Sequence, residues 1–167
     1  MVTQDPGEVI DPARDPAGFR RALGAFATGV VVVTTATPQG PLGITVNSFA
    51  SLSLDPPLIL WCPAKGSRRY AHFVAARHFA AHVLGAGQRP LAESFVRDGA
   101  AFGGLDWQKG PEDVPLIGGV LARFCCETWA VHEAGDHAII IGRVTSALRS
   151  AGPGLVFQAG RWGDFGS

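Results

Sequence analysis

At 167 residues the chain has the length of one ordinary domain, and 47% apolar against 17% charged residues exclude global disorder. Fourteen Lys and Arg balance fourteen Asp and Glu, which removes the basic footprint of a nucleic-acid binder and any polybasic membrane anchor. Twenty-two Gly and twelve Pro favour a turn-rich β or α+β fold over a helical bundle.

The N-terminus carries acids where a signal peptide would carry basic and then apolar residues, so 1–14 reads as a flexible arm before a domain over 15–167. Asp15-Pro16 marks an N-cap and a first helical position, and Phe19, Leu23 and Phe26 recur at helical spacing. A helix to about Thr28, ended by Gly29, follows from this. Val30–Thr37 predicts a strand, Pro38–Pro41 a turn and Leu42–Ser48 a second strand, with short strands at Ser51–Leu54 and Pro57–Cys62. Ser67 predicts the cap of a helix reaching about Ala76, with Tyr70, Phe73 and Val74 facing inward. Phe79–Leu84 follows as a strand, Pro90–Val96 as a helix, and Gly99–Pro115 as loop. Val120–His132 and His137–Leu148 predict two long strands joined at Glu133–Asp136. Leu155–Phe157 and Arg161–Phe165 close the chain.

No charge occurs from Ala22 to Leu54, yet Ser, Thr and the Pro38–Pro41 turn interrupt the stretch, which excludes a membrane span. Its texture is that of strands buried on both faces or lining a pocket. Many strands without a βαβ rhythm predict an antiparallel barrel with helices outside. Cys62, Cys125 and Cys126 contain no C-x-x-C and suit a reduced, cytoplasmic setting.

Dinucleotide, P-loop and nucleophile-elbow motifs are absent, and His72, His78 and His82 are scattered as surface or satisfied structural residues. If the chain is an enzyme, a cofactor carries the hard chemistry. Three clusters could serve one. Thr45 to Pro57 presents small hydroxyl and amide groups to a planar polar ligand, or satisfies its own backbone. Cys62-Pro63-Ala64-Lys65-Gly66-Ser67-Arg68-Arg69 puts a cation and Gly before a helix, as a phosphate site or a solvated turn. Gly135-Asp136-His137 begins a buried strand.

In this order the clusters resemble the short-chain flavin reductase family, the reductase components of two-component flavin-dependent monooxygenases. The landmarks are Thr28-Gly29-Val30, the N-S-F-x-S-x-S-x-(D/E)-P-P run at Asn47–Pro57, Cys62-Pro63 with Lys65 and Ser67, Phe102, and Gly135-Asp136-His137. The resemblance implies a mainly β, α+β fold: an antiparallel Greek-key, FMN-binding split barrel with a few peripheral helices, homodimeric, with flavin at the subunit interface. It implies flavin contacts at Thr45, Val46, Asn47, Ser48, Phe49 and Ser51, largely through backbone groups. Ser53 and Cys62 would flank the ring, and Lys65, Ser67 and Arg68 would hold the phosphate. Phe102 would be a loop aromatic near the flavin, Trp162 an aromatic wall, and His137 the catalytic-site residue seating the nicotinamide. No metal is implied. The C-terminal Leu155–Trp162 run lacks the Tyr often seen around Gly160 in the family, and no basic residue stands just before Phe102.

The implied reaction is hydride transfer from NADH or NADPH to FMN or FAD, releasing reduced flavin to a monooxygenase partner. The alternative is a non-catalytic flavin- or haem-binding split barrel. A structural dimerisation module is a third reading.

Overall fold

The computed structural model describes residues 7–166; the first six residues of the expected arm, and Ser167 of the expected domain, lie outside them. Helix α1 (Pro16–Gly24) starts as expected, the Asp15 carboxylate accepting from the Gly18 N–H at 2.8 Å. It stops short of Thr28. Thr28–Gly29 instead forms strand β1, Thr28 opposite Phe157 and Gly29 opposite Val156. The competing interaction is this sheet pairing, and Phe26, freed from the helical stripe, is 77% exposed.

The chain continues through β2 (Val31–Thr37), β3 (Gly40–Val46), β4 (Ala50–Leu54), β5 (Pro57–Trp61), α2 (Tyr70–Ala75) and β6 (His78–Val83). After α3 (Arg89–Arg97) come β7 (Trp107–Lys109), inside the expected loop region, and its partner β8 (Pro115–Ile117), which starts where that region ends. The long strands β9 (Ala122–Ala134) and β10 (His137–Arg149) precede the hairpin of β11 (Gly154–Gln158) and β12 (Arg161–Phe165). Two residues turn β9 into β10, and Gly135 takes φ +60, a conformation that favours Gly.

Seven strands form one antiparallel sheet in the order β3-β2-β6-β9-β10-β5-β4. Its two edges, β3 and β4, are joined by Asn47–Phe49 alone. Flat, such a sheet would hold its outer strands about 29 Å apart. The chain from Val46 to Ala50 can reach about 14 Å. The sheet must therefore curl until its edges nearly meet, and the result is a split barrel.

Val31 and Val33 of β2 turn to one core with Ile59, Trp61, Phe79 and Ile140, which α2 enters through Phe73. Val30 and Val32 turn to a second core with Phe95, Phe102, Ile117 and Leu155. Strand β2 is buried on both faces, which accounts for its run of four Val without a charge. At Gly43 the second layer comes so close that a Cβ would sit 2.5 Å from the Phe95 ring. Among the described residues no helix is long and apolar enough to cross a membrane.

His82 is fully buried between the layers. Its Nδ1 lies 3.0 Å from the Val32 carbonyl, and its Nε2 accepts from the Ile117 N–H at 3.1 Å. That pairing requires a neutral ring protonated at Nδ1. Burial, reinforced by the charge of Arg123 and opposed by the Val32 bond, pushes its pKa down to about 4. Because folding favours the neutral form, its contribution is complete above the ordinary value near 6.5 and is lost as pH falls toward 4. The loss approaches about 3 kcal/mol. His82→Gln retains a donor for Val32 and an acceptor for Ile117 but does not titrate. Unfolding free energy measured between pH 6.5 and 4.5 should fall more steeply in the parent than in the variant; parallel profiles would remove His82 from the acid response.

Candidate functional site

The split between β3 and β4 leaves each strand with a neighbour on one side only within the barrel sheet. Backbone groups on an unpaired edge are available to a planar heterocycle. Side chains in this region mostly brace the backbone. The Thr45 hydroxyl donates to the Ala92 carbonyl at 2.7 Å, fastening β3 to α3. The Ser48 hydroxyl accepts from the Cys62 N–H at 2.9 Å and donates to the Cys62 carbonyl at 3.2 Å. Val46 and Phe49 pack on the barrel core, and Phe49 stacks on Phe124 with centroids 5.7 Å apart. Asn47 and Ser51 are exposed, and Ser53 is half-buried beside the irregularity in β4–β5 pairing.

Beyond β5 the chain is laced to the β9–β10 hairpin. The Lys65 N–H donates to the Asp136 carbonyl at 2.8 Å, and the Ala138 N–H to the Pro63 carbonyl at 3.1 Å. Ala64 bridges His137. The three sequence clusters thus meet: Ser48 holds Cys62, and the loop after Cys62 holds His137. Cys62 is half-buried, and burial pushes its thiol pKa up against the opposing Ser48 hydrogen bond. It is a poor candidate for a thiolate nucleophile.

Charge at this corner is locally balanced. The Lys65 ammonium sits on the Glu133 carboxylate, to which the Tyr70 hydroxyl also donates at 3.1 Å. The Lys65 hydrogen bond, then that from Tyr70, holds the Glu133 carboxyl below the usual carboxylate range; Glu133 raises Lys65 in return. His137 Nδ1 lies 2.8 Å from the Asp136 carboxylate, and this bond holds the Asp136 carboxyl low. With Nδ1 donating, a neutral His137 ring has Nε2 as its acceptor.

Ser67 does not cap α2. Its hydroxyl accepts from the Arg69 N–H at 3.2 Å, Arg69 is the N-cap residue, and the helix begins at Tyr70. The pairing of Ala64 and Lys65 with the hairpin delays the helix, and a turn from the Ser67 carbonyl to the Tyr70 N–H intervenes at 3.0 Å. Arg68 is exposed. Arg69, which the sequence places only as the last member of the basic cluster, turns inward and donates to the carbonyls of Gly43, Phe95 and Val96. It thereby ties β3 and the carbonyl-rich end of α3 to the Lys65 loop. The only sequence signal was the Arg-Arg pair, in which one member can face in while the other stays solvated.

Phe102 lies in the loop between α3 and β7 with its ring turned into the protein. It is buried in the second core, edge-on to Phe95 and Trp107 at 5.0 and 5.2 Å. Trp162 flanks the same core, edge-on to Phe157 at 5.1 Å, with the Arg89 guanidinium 5.9 Å from its ring centre. Among the described residues no group of three His, Cys, Asp or Glu is placed to hold a metal.

Residues 23–166 match the flavin reductase like domain family. The chain is 57% identical to FMN reductase (NADH) SmoA of Agrobacterium fabrum over 88% of its own length and 84% of that protein's. It is 41% identical to the reductase subunit HsaB of a flavin-dependent monooxygenase from Rhodococcus jostii, covering 96% and 83%. Among solved structures it superposes on NADH:FAD oxidoreductase SgcE6 of Streptomyces globisporus, in complex with NAD and FAD fragments, with a TM-score of 0.88. There the identity is 40%, over 96% of this chain and 98% of that one.

The two neighbouring arginines should separate in a stability measurement. Arg69→Met keeps much of the apolar stem but loses the three carbonyl bonds, and should cost about 2 kcal/mol in denaturant unfolding. Arg68→Ala should change stability by less than about 0.5 kcal/mol. Equal effects would contradict the assignment of Arg69 as the tie.

Proposed function

The chain belongs to the flavin reductase-like family, and we propose on that premise that it transfers hydride from NADH to FMN or FAD and supplies the reduced flavin to a separate monooxygenase component. The observation that supports its site assignment is the convergence of the split edge, the Cys62–Ser67 loop and the Gly135-Asp136-His137 turn. This donor set fits a phosphorylated flavin. Edge backbone at Thr45 to Ser51 suits the polar rim of the ring system, and Lys65 with Ser67 suits the phosphate. A bound flavin supplies the hydride acceptor. The protein supplies distance and orientation, for which no protein nucleophile is needed.

His137 seats the nicotinamide. Asp136 fixes its ring through Nδ1, and Nε2 accepts a hydrogen bond from the carboxamide of NADH. Ser53 and Cys62 flank the flavin ring. Arg68, exposed beside Ser67, contributes long-range attraction to the phosphate. The non-catalytic and purely structural readings lose their ground beside relatives named as NADH-dependent FMN and FAD reductases.

The active form is a homodimer. Helix α1 turns Phe19 and Leu23 outward, Phe26 is exposed just beyond its end, and Leu52 and Leu54 are exposed on the edge strand β4. Exposed apolar residues along an unpaired edge favour a second copy of the chain. Sedimentation at micromolar concentration should show a dimer; a monomer reducing flavin at full rate would refute it.

The functional test is NADH consumption with FMN or FAD added. The parent should turn over, and His137→Ala should raise the KM for NADH roughly three- to tenfold, the worth of one hydrogen bond. Flavin affinity and melting temperature should stay near the parent's. A variant that melts several degrees lower yet reduces flavin normally would make His137 a turn residue.

A further inference from the structure

The cation assigned to the flavin phosphate is already engaged. Lys65 lies on Glu133, and Glu133 is itself anchored by the Tyr70 hydroxyl, so the carboxylate is held where Lys65 can reach it. Backbone hydrogen bonds between Lys65 and Asp136, and between Ala138 and Pro63, fix the two segments that carry this pair. We infer that Glu133 is an internal competitor for the flavin phosphate, a specificity residue that weakens binding of phosphate-bearing flavins and speeds their release. The inference rests on the reading that Lys65 holds that phosphate.

The competition is electrostatic. A phosphate can bind Lys65 fully only as the ammonium exchanges one anion for the other, and the displaced carboxylate stays close because Tyr70 retains it. Both effects oppose a dianion. Neither acts on a flavin without phosphate. The side chains of Lys65 and Glu133 are 38% and 67% exposed, so solvent screens the pair and the effect is moderate. That scale suits an enzyme whose flavin must leave after reduction: strong enough to loosen the ligand, too weak to exclude it. A role for Glu133 in presenting Lys65 to the ligand would have the opposite sign, because removing its charge would then weaken binding.

Titrations of FMN and riboflavin into the parent, Glu133→Gln and Lys65→Ala decide between these. Glu133→Gln should bind FMN roughly two- to fivefold more tightly, with riboflavin unchanged and reduced FMN dissociating more slowly. The advantage should shrink as salt is raised. Unchanged or weaker FMN binding in Glu133→Gln, while Lys65→Ala still loses FMN selectively over riboflavin, overturns the competitor role and leaves the phosphate reading standing. If Lys65→Ala loses both ligands equally, or neither, the phosphate reading falls and the inference falls with it.

Discussion

A link of three residues, Asn47–Phe49, governs this molecule, because it joins the opposite edges of a seven-stranded sheet. A sheet so tethered cannot lie flat, and curling it creates an inside, an outside and a seam. The inside collects Trp61, Phe79 and Ile140, with Phe73 from α2. The outside is covered through Phe95, Phe102 and Ile117. The seam is where β3 and β4 each lack a second neighbouring strand within the barrel sheet. Ser48 stands in the link and clips it to Cys62, so the residue that closes the barrel also positions the loop beyond β5.

The electrostatics follow from the same geometry. The chain as a whole is neutral, and at this corner Lys65 lies on Glu133 while the Asp136 carboxylate is 2.8 Å from the His137 ring. A small anionic ligand needs one or two local cations and no net charge on the chain as a whole. Arg69 illustrates another use of positive charge. Its guanidinium satisfies carbonyls at the end of α3 and beside it in β3, and so stiffens the frame behind the Lys65 loop.

Much of the barrel was legible because its strands carry strong local signals. The Val run of β2, the Pro-containing turns and the Gly135-Asp136 hairpin each fix a conformation that few alternatives rival. Boundaries failed where a distant partner competed. Thr28 left the helix because Phe157 offered it a strand, and Ser67 lost its cap position because Ala64 and Lys65 are drawn onto the β10 hairpin. The resemblance implies a loop aromatic near the flavin at Phe102. Burial against Phe95 and Trp107 is a property of the packed second layer that no local pattern displays.

The amino-acid sequence by itself determined the class of fold, the uncharged double-faced strands and the order of the N-S-F, C-P-x-K-x-S and G-D-H clusters, since composition, periodicity and turn chemistry are local properties. The tertiary structure decided which side chains stay available. It committed Thr45 and Ser48 to carbonyls, buried Phe102, turned Arg69 inward while leaving Arg68 in solvent, and set Lys65 upon Glu133. Those outcomes depend on contacts between residues far apart in the chain, where a hydrogen bond or ion pair exists only after the barrel has closed and brought the partners within reach.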